Sequence, residues 1–356
     1  MPYIISLSNI DLPYKVDQSD LKEYAGNLFS EAFPDIDRLL PVYNNANIET
    51  RNFCVPVNFY SKDRSFEEKN NLYIEYSLKY SVEAINDCLI KAGVDKKEIT
   101  DIIFVSTTGL ATPSLDGLIV NELKLNPNIN RLPLWGLGCA GGVSGLAKAS
   151  TIAKANPDAL ILFVGVELCS LTFIRNDLSK SNFIATGLFS DGVSAVLVAG
   201  DNKKHLAKDF EIKLSHSQSK LYYDTLDVMG WEFHDEGFKV LFSRDIPTIV
   251  NDTIKHDIYE FLGKSGLTLA DIKNFIIHPG GTKVIEAYID ALDLDKEKLN
   301  NTIGILSNYG NMSSVTAIYV LGKFLSDGFE DGYGLIMSLG PGFSCEQLLL
   351  EMKNIS

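Results

Sequence analysis

Cys139 stands among glycines in Leu134-Trp135-Gly136-Leu137-Gly138-Cys139-Ala140-Gly141-Gly142-Val143-Ser144-Gly145, an apolar strand that turns sharply into a helix of small residues. Glycines on both sides permit a tight turn and the close approach of another segment or a ligand. A helix starting at the sulfur aims free N–H groups at it, a field that favours thiolate over thiol. Two readings fit this segment taken alone: a reactive nucleophile, or a buried cysteine serving as a small hydrophobe. Phe275-Ile276-Ile277-His278-Pro279-Gly280-Gly281 sets a histidine at the end of an apolar β-type run. Gly304-Ile305-Leu306-Ser307-Asn308-Tyr309-Gly310-Asn311-Met312-Ser313-Ser314-Val315-Thr316 sets Asn311 between an apolar run and a helix start. Singly, these also read as structure, His278 as a satisfied core histidine and Asn311 as an N-cap.

The elements that must position the three residues repeat along the chain. Asp101-Ile102-Ile103-Phe104-Val105-Ser106 resembles Lys273-Asn274-Phe275-Ile276-Ile277-His278; Ser106 precedes Cys139 by 33 positions, and His278 precedes Asn311 by the same 33. Upstream of each run lies a short glycine-containing helix-start segment, Ala92-Gly93-Val94-Asp95 and Ser265-Gly266-Leu267-Thr268. Downstream, Ala159-Leu160-Ile161-Leu162-Phe163-Val164-Gly165 matches Gly334-Leu335-Ile336-Met337-Ser338-Leu339-Gly340 as a buried strand. The pattern predicts a duplicated α/β unit with Cys139 and Asn311 at equivalent strand-to-helix turns, brought together by a pseudo-twofold axis. The boundary between halves falls near the polar Asp201-Asn202-Lys203-Lys204, giving 1–204 with the cysteine and 205–356 with the histidine and asparagine. No long linker or low-complexity stretch separates them, so one shared core is expected.

This arrangement resembles the thiolase-like fold, with α-β-α-β-α layered halves. Within it, Gly-Cys-Ala-Gly-Gly, His-Pro-Gly-Gly and Asn-Met-Ser-Ser look like the type III polyketide synthases of the chalcone synthase superfamily. The resemblance spans nearly the whole chain, and it implies Cys139, His278 and Asn311 as a catalytic set. The groups suit the chemistry. A Cys139 thiolate, stabilised by a positively charged His278, takes an acyl-CoA starter as a thioester. Malonyl-CoA then loses carbon dioxide, and its enolate oxygen receives hydrogen bonds from His278 and from Asn311, a donor that does not titrate. The enolate carbon attacks the acyl thioester. No metal and no redox cofactor is called for.

By the same resemblance Phe189 in Gly187-Leu188-Phe189-Ser190-Asp191-Gly192 matches the gatekeeper between CoA channel and cavity; a core aromatic at a strand start is the alternative. Val240 stands where plant members carry a second gatekeeper phenylalanine, which predicts a wider cavity. Thr107, Thr108, Thr112, Cys169, Thr172 and Ser313 fall on cavity positions, Pro341 on the cavity floor, and Thr112 on a loop lent to a partner subunit in a homodimer. Ser338-Leu339-Gly340-Pro341-Gly342 departs in its first two residues from the family's Gly-Phe-Gly-Pro-Gly. Small walls at Thr108 and Cys169 resemble members that thread a fatty acyl tail through a tunnel, so pyrone, resorcinol and phloroglucinol-type products all fit. For Cys169 a packed apolar cysteine is an equal reading.

Composition bounds the rest. A chain of 356 residues, 46% hydrophobic, can bury a large core. It has no apolar run long enough for a membrane and no signal-peptide pattern at Met1-Pro2-Tyr3-Ile4-Ile5, which predicts a cytoplasmic protein. Five scattered cysteines indicate neither a disulfide framework nor a metal site. The net charge of −14 argues against nucleic acid. Anionic coenzyme A then needs a local basic patch, for which Arg38, Arg51 and Lys283 are candidates and solvated surface charge the alternative. A single-condensation ketoacyl-ACP synthase III and a non-enzymatic thiolase-fold subunit are the rival classes. A hydroxymethylglutaryl-CoA synthase would need a glutamate beside the thiol, and none is identifiable in sequence around Cys139.

Overall fold

In the computed structural model, which describes residues 1–243 and 245–355, the strands Asp101–Val105, Leu160–Leu168 and Asp191–Ala199 are buried along their whole length. Strands buried along their whole length require cover on both faces of a sheet. In chain order the strands are β1 (Tyr3–Ile10), β2 (Tyr14–Asp17), β3 (Thr50–Phe53), β4 (Asp101–Val105), β5 (Asn130–Leu134), β6 (Leu160–Leu168) and β7 (Asp191–Ala199). They continue as β8 (Phe210–Leu221), β9 (Met229–His234), β10 (Gly237–Phe242), β11 (Ile272–Ile277), β12 (Gly332–Gly340) and β13 (Ser344–Asn354). Nine of them form one hydrogen-bonded series, β11-β12-β13-β8-β1-β7-β6-β4-β5. Each half has the same plan. β4 runs parallel to β6 and β6 antiparallel to β7; β11 runs parallel to β12 and β12 antiparallel to β13. β1 pairs with both β7 and β8 and so joins the halves.

Cover comes in layers. The helix Phe66–Ala92 begins on the Ser65 side chain, which accepts from the Glu68 N–H, and ends at Gly93 with φ 69°. It packs on the first half, while Ile246–Gly263 and Thr282–Leu292 cover the second. Between them a middle core joins Val143, Leu146 and Ala149 of the helix Gly141–Ala155 to Ala317, Ile318 and Leu321 of the helix Thr316–Asp327. A side chain at Gly142 would put Cβ 2.1 Å from the Ser314 carbonyl oxygen, so the two segments approach at a distance that only glycine allows.

The duplication is incomplete at one place that matters. Cys139 follows a strand, β5, as expected, but Asn311 follows a helix, Asn300–Tyr309, and not a strand. Thr302, Ile305 and Leu306 are the buried residues of that segment, a helical spacing whose apolar side faces the sheet. The apolar letters before Asn311 therefore mark one helix face.

Candidate active site

Cys139 sits in the single turn Gly138–Ala140 that leads into the helix Gly141–Ala155. Gly136 and Gly138 take φ of +86° and +46°, and a Cβ on Gly138 would lie 2.7 Å from Pro341, which packs over the turn. From the strand behind, the Ser338 hydroxyl donates to the Cys139 carbonyl at 2.5 Å. Ser338, one of the two residues that depart from the expected loop, thus anchors the Cys139 backbone. The sulfur points at the Ser313 hydroxyl, 3.8 Å away.

His278 ends β11, its N–H donating to the Met337 carbonyl at 2.9 Å, and neither imidazole nitrogen has a protein partner. Asn311 is held at both ends of its amide: Nδ2 donates to the Gly280 carbonyl at 2.8 Å, and Oδ1 accepts from the Ser313 N–H at 2.8 Å. One Nδ2 proton is left over. Cys139, His278 and Asn311 line one cavity of about 540 Å³ together with Leu188, Met229, Phe242 and Leu339. Arg38, Lys180 and Lys283, all exposed, lie on the same cavity and supply positive charge at its mouth.

Burial sets the resting charges. It pushes the Cys139 thiol up to about 12, with nearby Glu167 adding to the effect and the Ser313 hydrogen bond opposing it. It pushes His278 down to about 3. Burial thus works against the charged form of each side chain, the thiolate and the imidazolium alike. Desolvation penalises both charged forms, and no hydrogen bond joins the two side chains to offset it.

Residues 56–202 match the N-terminal domain of chalcone and stilbene synthases, and 213–354 match the C-terminal domain. The chain is 45% identical, over 99% of both sequences, to a Bacillus subtilis protein designated "Putative chalcone synthase". It is 32% identical to the 1,3,6,8-tetrahydroxynaphthalene synthase of Streptomyces peucetius, over 95% of this chain and 90% of that one. The crystal structure of 1,3,6,8-tetrahydroxynaphthalene synthase from Streptomyces coelicolor superposes with a TM-score of 0.93 at 24% identity, covering 99% of this chain and all of the other. The chain belongs to the chalcone and stilbene synthase family. It is a type III polyketide synthase with the thiolase-like fold, an acyltransferase acting on CoA thioesters.

Against that family frame the remaining sequence candidates separate. Phe189 precedes β7, stacks on Phe242 with centroids 5.6 Å apart and meets Trp231 at 6.5 Å. With Arg51, Cys169, Thr172, Trp231 and Val240 it lines a second cavity of about 80 Å³. That cavity is narrow although Val240 is small. Trp231 lies opposite Val240 in the β9–β10 hairpin and lines the same cavity. Thr107 and Thr108 are buried and hold backbone, their hydroxyls accepting from the Gly138 N–H (3.1 Å) and the Leu168 N–H (2.9 Å). Thr112 is exposed and lines neither cavity, because the loop carrying it turns outward.

Arg51 is a correction. It is 2% exposed, donates to the Phe189 carbonyl at 2.8 Å and lies off the cavity that Cys139 lines, because β3 threads it behind Phe189. Lys180, missed in the sequence, takes the place at the mouth. A second correction concerns glutamate. Glu167, fully buried on β6, lies near the thiol, and it accepts from the Thr107 N–H at 3.1 Å and the Ser314 hydroxyl at 2.6 Å. Burial pushes its carboxyl up to about 7. One charged residue inside Val164-Gly165-Val166-Glu167-Leu168 was the available signal, since a lone buried carboxylate needs a local purpose.

Proposed function

We propose that this synthase extends an acyl starter on Cys139 by repeated decarboxylative condensation with malonyl-CoA and closes the chain to a pyrone, resorcinol or phloroglucinol-type ring. The supporting observation is the convergence of a thiol, an unpartnered imidazole and a half-free carboxamide on one cavity with a cationic mouth. As sulfur attacks the starter carbonyl, its proton moves to neutral His278. The C–SCoA bond breaks, the coenzyme A sulfur takes that proton, and neutral His278 and acyl-Cys139 remain. Malonyl-CoA then loses carbon dioxide; the electron pair of the broken C–C bond becomes the enolate. The remaining Asn311 Nδ2 proton and a His278 N–H stabilise its oxygen. The enolate carbon bonds to the acyl carbon, the C–S bond breaks, the Cys139 thiolate takes a proton from solvent, and a β-ketoacyl-CoA results. These groups suffice without a metal or redox cofactor.

The reading places the enzyme in the cytoplasm as a homodimer. In keeping with this, no described helix is long and apolar enough to cross a membrane. Leu110, Trp135 and Phe233 expose apolar surface close to the Thr112 loop, with Trp135 and Phe233 rings 5.8 Å apart. Purified protein given malonyl-CoA and a panel of acyl-CoA starters should yield β-ketide products by mass spectrometry. Light scattering should give twice the 39.3 kDa chain mass. Absence of any condensation product, or a stable monomer, would overturn the corresponding part.

A further inference from the structure

Arg51 carries a positive charge in the interior, yet only one edge of its guanidinium is used. Nη1 donates to the Phe189 carbonyl, whereas Nε and Nη2 meet no acceptor in the protein. Those two nitrogens form the side-on fork of arginine, with two parallel N–H bonds that match a pair of oxygens on one ligand. Asp191, the nearby acid, is already engaged: it accepts from the Cys54 N–H (2.8 Å), the Ser170 N–H (2.7 Å) and the Ser170 hydroxyl (2.6 Å). The Tyr60 hydroxyl in the same cavity also lacks a partner, while its neighbour Ser170 turns its proton to Asp191.

The fork is held in place. A Cβ on Gly310, beside Asn311, would lie 2.9 Å from the Arg51 side chain, and the guanidinium sits 5.5 Å from the Phe53 ring centre. Its cavity reaches Cys169 and Phe189, and the Phe189 backbone adjoins Asn311. Unpaired donors in a dry interior are costly, and the reaction supplies oxygens at the right spacing. Every condensation adds a carbonyl in 1,3 relation to the last.

We propose that Arg51, with Tyr60, binds the 1,3-dicarbonyl of the growing chain in the cavity behind Phe189 and thereby sets how many condensations occur before release. This rests on the polyketide synthase reading. Chain length should then depend on the fork. Arg51→Lys keeps the charge but loses the paired N–H geometry, and Tyr60→Phe removes one hydroxyl from an otherwise unchanged ring. With wild-type enzyme, each variant and malonyl-CoA plus a fixed acyl-CoA starter, products are sorted by number of extensions. The ratio of the longest product to the once- or twice-extended products should fall about tenfold in Arg51→Lys, the scale of losing one charge-assisted hydrogen bond, and less in Tyr60→Phe. An unchanged ratio in both variants, or turnover falling equally for every length, would overturn the proposal. So would a wild-type preference for an ω-carboxyacyl-CoA over its methyl-ended equivalent that Arg51→Lys abolishes, because the fork would then serve the starter. If wild-type enzyme makes no ketide at all, the polyketide synthase reading itself fails.

Discussion

Phe189 and Asn311 are joined backbone to backbone: the Ser190 N–H donates to the Asn311 carbonyl at 2.9 Å, and the Asn311 N–H to the Leu188 carbonyl at 3.0 Å. The backbones of Phe189 and Asn311 are thereby tied to each other. The pairing ties a residue before β7 in the first half to the turn after the helix Asn300–Tyr309 in the second, across the centre of the duplicated fold.

Because Asn311 offers its spare proton to the enolate alone, the two half-reactions should separate on mutation. Asn311→Ala should leave starter loading on Cys139 near the wild-type rate, measured by intact-protein mass. Release of carbon dioxide from malonyl-CoA should fall by about a hundredfold, the cost of one oxyanion donor. Equal losses in both steps would deny that division.

Burial of both groups predicts a pH signature. With the thiol at about 12 and His278 at about 3, neutral imidazole is present throughout pH 6–9, and the thiolate fraction rises tenfold per pH unit. Iodoacetamide labelling of Cys139 in the free enzyme should climb with that slope. A resting ion pair would instead give a plateau.

Glu167 modulates the same profile. Its carboxyl titrates at about 7, so below that pH it is neutral and above it the negative charge opposes thiolate formation. Glu167→Gln should label faster than wild type above pH 8 and at a similar rate at pH 6. A ratio that stays constant across the range would mean the carboxylate does not reach the thiol electrostatically.

Trp231 is the bulkiest side chain beside Val240 on the cavity of about 80 Å³ that Phe189 also lines. Trp231→Ala should shift starter preference to longer acyl chains. The gain in kcat/KM is about fourfold per methylene newly buried, from about 0.8 kcal/mol each. Cys169→Phe, which fills the same cavity, should shift preference to shorter starters while Cys139 still loads.

The contact between the catalytic helices can be tested through stability. In Gly142→Ala the new methyl meets the Ser314 carbonyl at 2.1 Å, and backbone on both sides must give way. A loss of about 1–3 kcal/mol in urea unfolding is expected. Unchanged stability would show that the helices separate freely.

The order of motifs and the repeated 33-residue spacing carried the fold and the three residues that share one cavity into view, because buried strands and glycine turns leave strong local marks. What escaped depends on contacts between distant segments. Arg51 looks like any surface cation until β3 threads it behind Phe189, and Glu167 becomes a neighbour of the thiol only once β6 lies beside β4. The helix before Asn311 misled for a different reason, since Ile305 and Leu306 satisfy a short strand and a helix face alike. The burial that raises the Cys139 thiol was also invisible in the sequence, because it comes from segments far along the chain.

The central claim is that Cys139 carries the chain while malonyl-CoA extends it. Incubation with an acyl-CoA starter alone, followed by peptide mass mapping, should find the acyl group as a hydroxylamine-labile thioester on the Cys139 peptide. Adding malonyl-CoA should then discharge it into a chain two carbons longer. An acyl group on Cys54, Cys88, Cys169 or Cys345 that turns over in its place, or an acyl-Cys139 that malonyl-CoA does not discharge, would contradict the account.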